Sequence, residues 1–166
     1  MTKEKVLTYI CRYDILVSER EVNTMKNIYF DMDGTIADLY GCDGWLDDII
    51  HERVRPYAEA KPLVNMNSLA RILNRLVRNG YTVNVISWTA KNGRPNYNEA
   101  VANTKRKWLK KHLGSVQFEN VFVSPYGTPK ASCGYGILFD DEKPNRDNWN
   151  GQAYDEKNIL QVLRSL

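Results

Sequence analysis

The run Asn27-Ile28-Tyr29-Phe30-Asp31-Met32-Asp33-Gly34-Thr35 sets the fold class of this chain. Asn27–Phe30 is a short apolar segment with the composition of a buried strand, and it stops on two acids separated by a single residue. Gly34 allows a tight turn directly after Asp33, of the kind that presents backbone N–H groups to an anion. Acids at the carboxyl end of a strand stand where an open parallel α/β sheet keeps its ligand.

Working outward, strands and helices alternate. Asn67–Asn79 carries Leu69, Ile72, Leu73, Leu76 and Val77 at helical spacing, and Gly80 supplies a left-handed stop. Tyr81–Ile86 is a Val- and Ile-rich strand that ends at Ser87. Glu99–Leu113 predicts a basic helix with Val101, Trp108, Leu109 and Leu113 facing inward, closed by Gly114. Val121–Val123 is a strand stopped by Ser124-Pro125, and Ile137–Phe139 one that ends at Asp140-Asp141. Asp155–Leu166 predicts a final helix capped by Asp155, with Ile159, Leu160, Leu163 and Leu166 buried. This order predicts an α/β fold with a parallel sheet. It brings Asp31, Ser87, Ser124 and Asp140 to one sheet edge.

The chain has 166 residues, enough for one domain, with 43% hydrophobic residues and a net charge of +3. That small excess is no footprint of a dedicated nucleic-acid binder, though it suits an anionic small molecule. No apolar run is long enough to span a bilayer, and charges interrupt the N-terminus, so neither a membrane nor a secretory signal is expected. Cys11, Cys42 and Cys133 are odd in number and widely spaced, which points to reduced thiols and a cytoplasmic setting. With only His51 and His112, a three-histidine metal site is excluded. Met25 opens a second start just before the acidic strand. Residues 1–24 therefore read as a peripheral N-terminal extension, the alternative being an ordinary helix or strand packed on the domain through Val6, Leu7, Ile10, Ile15, Leu16 and Val17, and residues 25–166 read as the domain.

Several acids on one edge repel each other and need a cation. Oxygen donors with no His or Cys partner suit Mg²⁺. Ser87 offers a hydroxyl to a phosphate oxygen. Lys130, ten positions before Asp140, can offset the carboxylates and neutralise a phosphoryl group, with Lys143 as its competitor.

Asp31-Met32-Asp33-Gly34-Thr35 after an apolar strand resembles the first motif of the haloacid dehalogenase (HAD) superfamily phosphatases. Ser87 resembles their second motif, Lys130 the third, and Asp140-Asp141 the fourth. Asp33-Gly34-Thr35-Ile36-Ala37-Asp38, Thr104–Leu109 leading into His112-Leu113-Gly114, and Leu138–Asp141 further resemble the 5′(3′)-deoxyribonucleotidase branch, with a much reduced cap. The resemblance implies a HAD-like Rossmannoid fold and an Mg²⁺-dependent phosphomonoester hydrolase. It assigns Asp31 as nucleophile and Asp33 as general acid and base. Ser87, Lys130, Gly34 and Trp88 would hold the phosphoryl group. Asp31, Asp140 and the backbone carbonyl of Asp33 would hold the metal, with Asp141 either a further metal contact or an orienting group.

The segment Leu39–Pro62 should overhang the site as a small cap. It contains Tyr40, Trp45 and Tyr57 and a predicted amphipathic helix, Trp45–Val54, with Leu46, Ile49 and Ile50 inward. Its aromatics either stack a nucleotide base or pack the helix onto the domain. In the loop Trp88–Tyr97, Lys91 or Arg94 offers a further substrate contact. The expected substrate is a small phosphomonoester, first a nucleoside monophosphate. A sugar phosphate or another phosphate ester is the alternative. A non-catalytic nucleotide- or phosphate-binding protein on the same fold and a phosphotransferase are the remaining ones.

Overall fold

The computed structural model describes residues 26–166. The expected extension, Met1–Thr24, lies outside the described residues, as does Cys11. The strands are β1 (Asn27–Phe30), β2 (Ala37–Asp38), β3 (Lys61–Pro62), β4 (Thr82–Trp88), β5 (Asn120–Ser124), β6 (Gly136–Phe139) and β7 (Gly151–Tyr154). Five of them form one parallel sheet in the order β5-β4-β1-β6-β7, and β2 pairs with β3 antiparallel. The chain builds outward from β1 through β4 to β5, then returns to build β6 and β7 on the other side. That reversal puts the topological switch point at the carboxyl end of β1.

Alternation along the strands divides the core. Ile28 and Phe30 join Val83, Val85, Ile137 and Phe139 on one face, all buried, and the Phe30 and Phe139 rings stack with centroids 5.2 Å apart. The helices Met66–Arg78, Pro95–Leu113 and Ile159–Ser165 cover that face. They contribute Leu69, Leu73 and Leu76, then Trp108, Leu109 and Leu113, then Ile159 and Leu163. Full burial of each such side chain contributes about 1.5–3 kcal/mol. The opposite face carries Tyr29, Ile86 and Leu138 and is closed more thinly by Trp149. The Trp149 indole sits 5.1 Å from the Tyr29 ring and donates to the Gly136 carbonyl at 2.9 Å. The α/β class and parallel sheet match the sequence expectation.

Several boundaries differ. β4 runs on through Trp88, so Ser87 lies inside the strand and not beyond its end. The basic helix begins at Pro95, whose fixed φ suits a first helical turn. β7, not expected from sequence, adds an edge strand. The closing helix is shorter than predicted. Asp155 does act as a cap, accepting from the Lys157 N–H at 3.1 Å, but it caps a short tight turn, Glu156–Asn158. Leu160 and Leu166 are half-buried.

The expected helix Trp45–Val54 is the largest correction. Helix Trp45–Ile50 stops early, and a second one, Arg55–Glu59, follows. Leu46 and Ile50 are 53% and 67% exposed, not inward, and of the three predicted residues only Ile49 packs on a core cluster. Ion pairs override the apolar pattern here. Arg53 and Arg55 both fold back onto the buried Asp48 carboxylate, with Nε–O distances of 2.5 and 2.6 Å. Glu52 adopts a positive φ of 54° and reaches across to Arg94.

Candidate active site

β1 and β6 are hydrogen-bonded neighbours, and the Asp31 N–H continues their ladder to the Phe139 carbonyl at 2.9 Å. The acids that follow both strands are thereby placed side by side. Carboxylate oxygens of Asp31, Asp140 and Asp141 all lie within 4.8 Å of one another. Lys130 rises between two of them, 2.8 Å from Asp31 Oδ1 and 2.5 Å from Asp140 Oδ2. Burial works against its charge, but the two carboxylates outweigh that effect and hold the ammonium protonated. Lys143 is ruled out as the site lysine. It is an exposed side chain paired with Asp147.

Asp140 and Asp141 differ in environment. Asp140 is fully buried, and its Oδ1 also accepts from the Glu142 N–H at 2.9 Å and from the Asn145 amide at 3.2 Å. Asp141 is half-buried and shares a reciprocal contact with Thr35. Its N–H donates to Thr35 Oγ1 at 3.0 Å, and that hydroxyl lies 3.1 Å from its Oδ1. Burial, then the charges of Asp31 and Asp140, push the Asp141 carboxyl up to about 7. Burial and neighbouring acids thus both disfavour the Asp141 anion, and a cation bound among these carboxylates would offset both. The oxygen donors and their crowding fit a hard divalent cation such as Mg²⁺.

Asp33 stands apart from this cluster. Its Oδ2 lies 2.5 Å from the ammonium of Lys105, a residue only 1% exposed. Lys105 also donates to the Trp88 carbonyl at 2.6 Å and to Ser87 Oγ at 2.9 Å, and sits 5.0 Å from the Tyr57 ring centroid. Burial raises the Asp33 pKa; Lys105 opposes that rise, and the charge of Asp31 adds to it. Lys105 was not singled out from sequence as a site residue. Ser87 is where the expected motif order puts it, but its buried hydroxyl engages Lys105, and Trp88 and Thr89 line the cleft in its stead.

Gly34 takes a left-handed φ of 79°, and its N–H donates to the Ala37 carbonyl at 2.9 Å, inside the turn. Its amide is thus not the anion donor expected. Its contribution is room: a Cβ there would collide with the Asp141 carboxylate and the Tyr40 ring.

Above the acids opens a cleft of about 290 Å³ with Asp31, Asp33 and Lys130 in its lining. Most of the rest is apolar or aromatic. Tyr40 and Trp45 form one aromatic pair, edge to face with centroids 5.1 Å apart. Tyr57 also lines the cleft but is 5% exposed and packs with Leu39, Tyr97 and Val101, so it joins the insert to the core. Trp88 and Tyr126 form a second pair, again 5.1 Å apart, and Lys130 lies 4.8 Å from the Trp88 ring. Lys91 lines the cleft, whereas Arg94 is taken by Glu52. Arg146 was also missed from sequence; its guanidinium donates to the carbonyls of Asp140 and Asp141, both at 2.7 Å.

No family model matches the sequence, and no curated protein matches it. Solved structures do match in shape. D,D-heptose 1,7-bisphosphate phosphatase from Burkholderia thailandensis superposes with a TM-score of 0.51 at 12% identity, covering 84% of this chain and 96% of its own. D,D-heptose 1,7-bisphosphate phosphatase from B. bronchiseptica, complexed with magnesium and phosphate, gives 0.49 at 12% identity, covering 86% and 100%. The first of these shares its α/β fold with the present chain, in line with the HAD-like fold expected from sequence.

Proposed function

We propose that the chain is an Mg²⁺-dependent phosphomonoester hydrolase that works through an aspartyl-phosphate on Asp31, with nucleoside monophosphates as its substrates. One observation carries this: Asp31 borders the cleft with one oxygen fixed by Lys130, while Asp33, raised by burial, stands ready to carry a proton beside it. In the first step an Asp31 oxygen attacks phosphorus and the ester P–O bond breaks. The leaving oxygen takes the proton from Asp33. In the second step water attacks phosphorus, Asp33 accepts its proton, and phosphate leaves with Asp31 restored. Lys130 keeps the nucleophile oriented and offsets negative charge on the transferring group.

Asp31, Asp140 and Asp141, with the Asp33 backbone carbonyl, would hold Mg²⁺. Bound there, the cation supplies neutralisation of the equatorial phosphoryl oxygens. A non-catalytic binder has no need of an Asp33 poised to exchange protons, so the acid pair favours turnover.

The aromatic walls of the cleft support a flat leaving group and hence a nucleotide. A sugar phosphate is the second reading, favoured by the fold shared with a heptose bisphosphate phosphatase. Phosphate release from a panel of nucleoside monophosphates and sugar phosphates, with Mg²⁺ and with chelator, tests both. Release undiminished by chelator would overturn the Mg²⁺ requirement, and none from any ester would overturn the hydrolase. A preference for sugar phosphates would leave the hydrolase and remove the nucleotide.

A further inference from the structure

Tyr126 is a large aromatic residue with no core to fill: half its surface is exposed, yet its position is tightly specified. It sits in the turn Pro125-Tyr126-Gly127-Thr128. The Thr128 N–H and hydroxyl both donate to the Pro125 carbonyl, at 3.1 and 2.7 Å. Gly127 supplies the left-handed φ of 82° that a type II turn requires at its third residue. The turn is tied to the sheet, because the Trp88 indole donates to the Thr128 carbonyl at 2.9 Å. The Tyr126 ring packs against Trp88, and the Lys91 ammonium lies 5.6 Å from its centroid. All three side chains line the cleft that contains Asp31.

A hydrogen-bonded turn that holds an exposed ring at the wall of the cleft containing Asp31 stabilises no core; its ordering is already in place before a ligand arrives, which lowers the cost of binding. We propose that Tyr126, seated on Trp88, is the stacking platform for a planar leaving group, so that substrate choice is made by core loops as well as by the insert. This rests on the hydrolase reading and deepens its substrate side. Lys130, which pairs with Asp31, lies beside the same Trp88 ring, 4.8 Å from its centroid, so the platform and the phosphate-side lysine share one neighbour.

The test uses Tyr126→Ala and Tyr126→Phe with three substrates: a nucleoside 5′-monophosphate, phenyl phosphate and glycerol phosphate. In Tyr126→Ala the KM for both ring-bearing esters should rise about 5- to 150-fold, the range expected for loss of a stacking partner. Values for glycerol phosphate and the melting temperature should match wild type, and Tyr126→Phe should restore KM, since the ring and not the hydroxyl does the stacking. If Tyr126→Ala affects all three esters equally, or none, the platform is overturned. If wild type favours phenyl phosphate through Tyr126 but ignores the nucleotide, the platform stands and the nucleotide reading fails.

Discussion

Lys105 and Asp33 are 72 positions apart, yet the ammonium of one lies 2.5 Å from the carboxylate of the other. The lysine comes from the middle of the Pro95–Leu113 helix and passes beneath the end of β4. It thus fixes the rotamer of the acid proposed to move the proton. It also moderates how far burial raises that acid.

Removing this lysine should have a measurable signature. Asp33→Asn removes the proton carrier and should lower kcat by about 10²–10⁴. Lys105→Met keeps the carrier but removes the charge that holds its pKa down. The Asp33 pKa then rises further, and the alkaline limb of kcat/KM moves to higher pH. A pH profile of Lys105→Met that falls uniformly, with its limb unmoved, would show that the lysine acts only structurally.

Lys130 lies between Asp31 and Asp140 in a buried setting. Lys130→Met leaves two buried carboxylates facing each other, and breaking such a pairing costs about 3–5 kcal/mol. Activity should vanish and melting temperature fall. Adding Asp140→Asn to Lys130→Met should recover part of the melting temperature but none of the turnover. Asp31→Asn should abolish turnover with the fold intact. Thermal melts alongside phosphate release check all three.

The raised Asp141 pKa couples metal, pH and stability. In the metal-free fold its proton stays on until about pH 7, whereas its ordinary value is 3.8. Between those values the folded state binds more protons than the unfolded one, so stability falls as pH rises through that window. Mg²⁺ needs the deprotonated form, so the rise in melting temperature on adding Mg²⁺ should grow from pH 6 to pH 8. Asp141→Asn should flatten both trends. An equal Mg²⁺ increment at pH 5.5 and pH 8 would contradict this account.

The insert's aromatics should act on binding. Trp45→Ala and Tyr40→Ala remove partners worth roughly 1–3 kcal/mol if a base stacks on them. KM for a nucleotide should then rise about 5- to 150-fold, with kcat changed less and a baseless ester unaffected. Equal losses on both esters, together with a lower melting temperature, would assign these residues to packing.

The sheet and its acidic edge were legible because they obey local rules. β1 is a compact apolar run stopped by acids, and Lys130 and Asp140 lie on either side of one short strand. Lys105 was legible in principle: it falls on the same helical stripe as Val101, Trp108 and Leu109, where a lysine is out of place. It was hidden among Arg106, Lys107, Lys110 and Lys111, which are exposed. The insert was misread because Asp48, Glu52 and Arg94 shape it through ion pairs that no hydrophobic period encodes. β7 reads Gly151-Gln152-Ala153-Tyr154, without a β-branched residue, and owes its strand geometry to pairing with β6. Tyr126 lies in a turn and Arg146 in the five-residue helix Lys143–Asp147, both too short for the sequence to show a period.

The insert is fastened to the core at separate points. Glu52 accepts from the Arg94 N–H at 2.8 Å, the Tyr97 hydroxyl donates to the Arg53 carbonyl at 3.2 Å, and the Trp108 indole donates to the Ala60 carbonyl at 2.7 Å. These ties join the insert to the helix Pro95–Leu113 and the loop before it, so the cleft is already walled without any movement of the insert. If the chain turns over as proposed, with the insert held in place, kcat should not change when a viscogen is added, because no lid opening would then limit product release.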